Sequence, residues 1–91
     1  MAQPLLMAWT LVFSRRAERD LEDIDDATRN WILERVRSAA RDPASVSLAK
    51  LKGRPGEWRI RTGAWRIIVE LDTRTGRMIV TRVLPRRDAY R

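Results

Sequence analysis

Four short stretches of the chain have the alternation of hydrophobic and polar residues, or the run of β-forming residues, that predicts β-strands. The first stretch is "MAWTLVF" (residues 7–13), in which Trp9, Leu11 and Phe13 share one side. The other three lie in the second half of the chain, at about 57–62, 64–72 and 77–84. They are joined by "TG" and "TRTG", which are typical of hairpin turns.

After the first predicted strand the hydrophobic spacing changes to three and four residues, which predicts two helices. The first helix, roughly 15–25, follows Ser14 as N-cap and places three apolar residues on one face: Ala17, Leu21 and Ile24. The second, roughly 27–41, is capped by Asp25 or Asp26, ends before Pro43, and has an apolar stripe: Ile32, Val36 and Ala39 or Ala40. Because only a couple of residues separate the helices, we expect an antiparallel helical hairpin.

The order of these elements predicts an α+β fold. The segment 48–58, "LAKLKGRPGEW", is expected to be a loop, because two glycines and a proline interrupt any regular element. The order is then β-α-α-β-β-β, in one domain over residues 1–91 without repeats. We expect a mostly antiparallel sheet of three or four strands with the αα-hairpin packed on one face. The pattern leaves open the order of the strands and the partner of the first one.

Composition removes several classes of chemistry. The chain has no cysteine and no histidine, so we predict no disulfide and no metal site, and the commonest general base is missing. Nothing in the composition calls for a cofactor. The opening "MAQPLLMAWTLVF" lacks a basic segment and a cleavage site, and no stretch is long enough for a membrane span. We therefore expect a cytoplasmic protein without a membrane partner.

Positive charge is concentrated in the second half of the chain. Residues 1–49 hold seven Arg against eight Asp or Glu, which gives −1, and residues 50–91 hold twelve Lys or Arg against four acids, which gives +8. A half that is so basic attracts polyanions, with nucleic acid first and an acidic protein segment second. An arginine-rich surface without a specific partner is the alternative.

The stretch "EWRIRTGAWRIIVELD" (residues 57–72) holds much of this charge in a predicted hairpin. If Thr62 and Gly63 form a two-residue turn, Arg59 lies opposite Arg66. The apolar residues then share the face toward the helices: Trp58, Ile60, Trp65 and Ile67. Arg59, Arg61 and Arg66 share the other face, where like charges are unfavourable unless an anion lies between them. A three-residue turn would scatter this cluster, and divergent arginines on a solvated face are the alternative interpretation.

Together, "MAWTLVFSRRAERDLEDI", "KLKG", "WRIRTGAWRIIVELD" and "VLPRRDAYR" resemble the RelE/ParE superfamily of toxins from type II toxin–antitoxin pairs. The resemblance covers the chain from Met7 onward, so residues 1–6 are expected to be an extension or to reflect a start codon placed too early. It is the RelE-like branch that the residues favour. That branch implies a ribosome-dependent mRNA endonuclease, which cleaves mRNA in the A site by attack of the 2′-OH on the adjacent phosphate. It also implies a cognate antitoxin as partner.

The resemblance also implies roles for individual residues. Its catalytic positions fall on five residues of this chain: Arg59, Arg61, Arg66, Arg86 and Tyr90. Basic residues around them would bind ribosomal RNA through phosphate contacts: Lys50, Lys52, Arg82 and Arg87. Convergent guanidiniums suit the dianionic phosphorane that the attack creates, because they stabilise charge where it develops.

One departure from the RelE-like pattern keeps other functions open. Members that cleave well often have lysine where this chain has Arg59 and Arg61, and arginine does not readily lose a proton to act as a base. Glu57 or Tyr90 would then have to serve, unless stabilisation of the phosphorane makes a base less important. The alternatives are a ParE-like inhibitor of DNA gyrase that acts by protein–protein contact, and a basic RNA-binding module without catalysis. The tryptophans are expected to pack in the core or between helices and sheet: Trp9, Trp31, Trp58 and Trp65.

Overall fold

A computed structural model describes residues 8–85 as one sheet covered on one face by two helices. In chain order the elements are β1 (Thr10–Phe13), α1 (Arg15–Glu22), α2 (Asp26–Arg41), a 3₁₀ turn (Pro43–Ser45), β2 (Ser47–Lys50), β3 (Glu57–Thr62), β4 (Trp65–Asp72) and β5 (Arg77–Pro85). The sheet order is β1-β5-β4-β3-β2. The predicted α+β class with a helical hairpin on one face is confirmed.

The predicted helix caps are present. The Ala17 amide donates to the Ser14 hydroxyl at 3.1 Å, and the Thr28 amide donates to an Asp25 carboxylate oxygen at 3.0 Å. Arg29 joins the two helices, because its Nε and Nη2 donate to the carbonyl oxygens of Leu21 (2.8 Å) and Ile24 (2.6 Å). Leu21 lies in the last turn of α1 and Ile24 just beyond it, where carbonyl groups lack the usual partner four residues further along a helix.

The sheet has one strand more than the sequence predicts. Ser47–Lys50 forms β2, which pairs antiparallel with β3 at the edge of the sheet, although the segment from 48 onward is predicted as a loop. The loop prediction is wrong here because the glycines and the proline begin only at Gly53, beyond the strand. Val46 and Leu48 pack against the core, and this short alternation is the signal that could have revealed β2.

Strand β1 pairs parallel with β5, which the sequence left open, and the other three pairings are antiparallel. The core lies between the sheet and the helices. It joins residues of α1 and α2 to the inner sides of β3, β4 and β5, and the fully buried side chains include Ile32, Val36, Ile60, Ile67 and Met78.

The four tryptophans differ in burial. Trp9 is buried, and Trp58 and Trp65 are half-buried against the core, in agreement with the packing prediction. Trp31 is 41% exposed, so it is not a core residue. Its indole ring instead lies against Gly63 in the turn between β3 and β4.

Candidate functional site

The β3–β4 hairpin turns one residue later than the sequence predicts. Thr62 lies opposite Trp65, so the two-residue turn consists of Gly63 and Ala64 rather than Thr62 and Gly63. Gly63 has φ = +59°, and no other kind of residue in the described chain has a positive φ. A two-residue turn with a positive φ only at its first position needs glycine there, as in a type II′ turn. The predicted turn would have placed the β-branched Thr62 in that position.

This shift changes which arginines are opposed but not which face they share. Arg61, and not Arg59, lies opposite Arg66, while Arg59 lies opposite Ile68. Opposed residues point to the same face, and residues two apart along a strand do so too. Both registers have a two-residue turn, so every side chain keeps its predicted face. Arg59, Arg61 and Arg66 therefore share the side of the sheet away from the helices, and we call this set the arginine face.

The three guanidinium-bearing residues of the arginine face differ in exposure. Arg61 is exposed, Arg59 is half-buried, and Arg66 is only 6% exposed, although it lies on the side without helices. Arg66 is flanked by Arg61 on β3 and by Leu84 on β5. On the other side of β3, the small residues Ser47 and Ala49 of β2 lie opposite Arg61 and Arg59. Strand β2, which the sequence did not predict, thus forms the border of the arginine face.

Charge along this side of the hairpin is divided between two ends. The arginine face occupies the end near the turn, while Glu57 and Glu70 lie opposite each other toward the far end of β3. A carboxylate oxygen of Glu57 is 3.8 Å from Nη1 of Arg54, in a largely exposed ion pair. Opposed like charges are unfavourable, so the turn end gains the most from a bound anion such as phosphate.

The loop after β2 forms a concave surface of about 370 Å³ beside the hairpin, lined by residues 50–55. Lys50, the last residue of β2, and Lys52 are both predicted to contact RNA, and both are exposed at this surface together with Arg54. Gly53 and Gly56 have φ values of +73° and +80°, so the loop has the tight turns that the sequence indicates. Three cationic side chains therefore lie at the end of β2 and on the loop that leads directly into β3.

The remaining predicted site residues either are bound within the protein or lie outside the part of the chain that the structure describes. Arg82 does not project freely toward a ligand, because its guanidinium is bound to Asp20: Nε lies 2.9 Å from Oδ2. Arg86, Arg87 and Tyr90 lie outside the described residues, as do residues 1–6. Their predicted roles stay predictions.

The arrangement can bind and stabilise a multiply charged phosphate, since arginine grips phosphate in a bidentate fork. Among the carboxylates on the same side of the sheet, Glu57 lies on the strand of Arg59, two positions away, which corresponds to about 7 Å along a strand. Within residues 8–85 no group of three or more acidic residues could hold a metal ion. In the same range, neither helix is long and apolar enough to span a membrane.

Comparison with known proteins identifies the family. Residues 11–90 match the model of the ParE toxin of the type II toxin–antitoxin system parDE. The match covers nearly the whole chain and confirms the resemblance to the RelE/ParE superfamily. No curated protein matches the chain in sequence.

Solved structures share the fold. The RelB–RelE antitoxin–toxin complex of Methanococcus jannaschii is similar with a TM-score of 0.73 and 24% identity, over 87% of this chain and 94% of that chain. The toxin–antitoxin complex RelBE2 of Mycobacterium tuberculosis has a TM-score of 0.76 and 22% identity, over 89% and 94%. The intact Escherichia coli RelBE complex has a TM-score of 0.68 and 20% identity, over 84% and 94%. At these identities the similarity establishes the fold.

Proposed function

The chain belongs to the ParE toxin family of type II toxin–antitoxin systems, and we propose that it acts as a RelE-like toxin that cleaves mRNA in the ribosomal A site. The observation that carries this proposal is the opposition of Arg61 and Arg66, with Arg59 on the same face. Three cations in this arrangement form a site for a phosphate that gains negative charge during the reaction.

The chemistry of the proposed reaction needs no cofactor. The ribose 2′-oxygen attacks the adjacent phosphorus, a new O–P bond forms, and the bond from phosphorus to the 5′-oxygen breaks. The departing 5′-oxygen takes up a proton from water, so the products are a 2′,3′-cyclic phosphate and a 5′-OH. Arg61 and Arg66 stabilise the dianionic phosphorane, and Glu57 is the candidate to accept the 2′-OH proton among the described residues. The exposed Lys50 and Lys52 hold the surrounding RNA by phosphate contacts.

The test is cleavage of an mRNA bound to purified ribosomes, with the cut sites mapped by primer extension. We expect cuts in the A-site codon that require the ribosome, and a cyclic phosphate at the new 3′ end. Expression in cells is expected to block translation. An mRNA that stays intact on ribosomes, together with filamentous, DNA-damaged cells, would contradict the proposal.

A ParE-like inhibitor of DNA gyrase is the second candidate, and two observations favour it. The matching family is described as the parDE toxin, and the chain has arginine at two positions where lysine would more easily transfer a proton. A gyrase supercoiling assay with the purified protein distinguishes the two. Inhibition of supercoiling without any mRNA cleavage would establish this candidate in place of the nuclease.

We also propose a cognate antitoxin as the protein partner. The M. jannaschii, M. tuberculosis and E. coli structures that share the fold are all toxin–antitoxin complexes. The basic second half of this chain favours an antitoxin segment that is partly acidic and folds on binding. Co-expression with the adjacent small reading frame and copurification tests this pairing, and separate elution of the two proteins would argue against it.

A further inference from the structure

Beyond Val80, one edge of strand β5 has no described strand beside it, and Asp20 of α1 lies at this edge. Strand β1 pairs only with residues 77–80 of β5, so no described strand lies beside the rest of that edge. There the Val83 amide donates to Oδ2 of Asp20 at 2.8 Å. The Asp20 side chain is 13% exposed, so its carboxylate is largely removed from water. Asp20 thus takes the place of the next strand as hydrogen-bond acceptor.

The same carboxylate binds Arg82. Arg82 lies opposite Ile68, which in turn lies opposite Arg59, so its position in the strand belongs to the side of the arginine face. Its guanidinium is nevertheless held at the strand edge, where Nε is 2.9 Å from Oδ2 of Asp20 and Nη2 is 3.4 Å from Oδ1. A β-bulge at Thr81, just before Arg82, loosens the pairing at this point.

We propose that Asp20 is a positioning residue that withdraws the charge of Arg82 from the RNA-binding side of the sheet. This inference rests on the proposed function in that RNA is the natural anion. If Arg82 left Asp20 to contact a phosphate, the largely buried carboxylate would keep only the more distant Arg16, whose Nε lies 3.8 Å from Oδ1, and would lose its closest cation, which is unfavourable. The pair therefore stays intact when RNA binds. RNA is held at the hairpin by Arg59, Arg61 and Arg66, and not along β5.

The salt dependence of binding measures how many cations contact phosphates. We would compare four proteins by fluorescence anisotropy with a labelled single-stranded RNA: wild type, Arg82→Ala, Asp20→Asn and the double variant. The asparagine side chain still accepts a hydrogen bond from the Val83 amide but no longer neutralises Arg82. We expect Arg82→Ala to leave the slope of log K against log [salt] unchanged. Asp20→Asn is expected to steepen it by about 0.7, one phosphate contact, and the double variant to restore the wild-type slope.

Two results would overturn the inference. A shallower slope for Arg82→Ala alone would mean that Arg82 already contacts phosphate in the wild type. An unchanged slope for folded Asp20→Asn would mean that Asp20 withholds no charge. If Asp20→Asn fails to fold, the comparison of wild type with Arg82→Ala still tests whether Arg82 contacts phosphate in the wild type, and a shallower slope there overturns the inference. A role of Asp20 in stability alone would lower the unfolding temperature and leave every slope unchanged.

The same slopes measured with polyphosphate separate this inference from the proposed function. Polyphosphate requires only the basic side of the sheet, so these slopes can be compared even if the protein cleaves no mRNA. Absence of ribosome-dependent cleavage by the wild type would remove the nuclease proposal. The polyphosphate slopes would then test by themselves whether Asp20 withdraws the charge of Arg82.

Discussion

The indole ring of Trp31 on α2 lies so close to Gly63 that a Cβ atom there would be 2.8 Å from its Cη2. The guanidinium carbon of Arg35 is 5.8 Å from the centroid of the same ring, within range of a cation–π interaction. An exposed tryptophan on a helix thus holds the turn of the hairpin that brings Arg61 opposite Arg66. The helix layer therefore helps to set the geometry of the arginine face.

Replacement of Gly63 by alanine is expected to destabilise the protein by about 2–3 kcal/mol, because it combines backbone strain with displacement of the Trp31 ring. Gly76 is the matched control: its φ is +73°, but a Cβ there meets no atom within 4 Å. Gly76→Ala should therefore cost about 1–2 kcal/mol from strain alone. Urea unfolding of both variants measures the difference. Equal losses would show that the contact with Trp31 contributes nothing.

Truncation of a side chain in the centre of the sheet is expected to lower the free energy of unfolding more than truncation of one at its border. Ile67 is fully buried, whereas Trp65, two residues away on the same face, is half-buried at the start of β4. Ile67→Ala should cost about 3–4 kcal/mol, and Trp65→Ala about 2 kcal/mol despite the larger side chain, because part of the indole already contacts water. If Trp65 were buried as deeply as the alternation in the sequence predicts, Trp65→Ala would cost more stability than Ile67→Ala. Chemical denaturation of the two variants under one set of conditions provides the measurement.

Acid is expected to weaken the helical hairpin through Asp25. The hydrogen bond from the backbone of Thr28 holds the pKa of Asp25 below its ordinary value of 3.8. A lowered pKa in the folded state means that the stabilisation is fully present above the ordinary value and is lost as pH falls through the folded value. Unfolding by urea at about pH 6 and about pH 3 measures this loss.

Asp25→Asn is the matched variant for this prediction. Asparagine can cap the helix but does not titrate in this range, so the loss of stability on acidification should be smaller than in the wild type. Hydrogen bonding by Thr75 likewise holds the pKa of Asp72 below 3.8, so some acid dependence should remain in the variant. An identical acid dependence in wild type and Asp25→Asn would contradict the prediction.

The helices and most strands could be predicted because helix caps and side-chain spacing depend on residues only a few positions apart in the chain. Ser14 and Asp25 cap helices in the way that their short polar side chains allow. The faces of β3 and β4 follow from a side-chain period of two, which survives a shift of the turn by one residue. The register itself depended on the backbone angle that Thr62 and Gly63 can each adopt, and hydrophobic patterning does not report it.

The structural features that the sequence did not predict depend on contacts between segments that are far apart along the chain. Strand β2 has only four residues and gains its hydrogen bonds from β3, so its own pattern is weak. Arg82 and Asp20 are far apart along the chain, and nothing near Arg82 in sequence distinguishes it from an arginine that binds RNA. Composition predicts how much positive charge the second half has, but only the fold shows which cations are already paired.

The arginine face yields the sharpest prediction about activity. If the protein cleaves mRNA on the ribosome, Arg61→Ala and Arg66→Met should each slow cleavage by roughly two to three orders of magnitude, as for loss of one preorganised charge-stabilising group. Methionine is chosen at position 66 because Arg66 is only 6% exposed and a shorter side chain would leave a cavity. Ribosome binding should weaken much less, since many phosphate contacts share it. Single-turnover cleavage and ribosome pelleting measure the two effects separately.

Arg77→Ala is the control for this prediction. Arg77 is exposed and lies on the same side of the sheet, opposite Asp72 at the far end of β4. The separation between positions 66 and 72 along a strand is about 20 Å, beyond the reach of one phosphate. Arg77→Ala removes the same charge but should leave the cleavage rate within about twofold. If all three variants lost cleavage equally, net charge rather than the opposed Arg61 and Arg66 would account for the activity. If growth arrest persisted in the folded double variant of Arg61 and Arg66, the gyrase candidate would replace the nuclease.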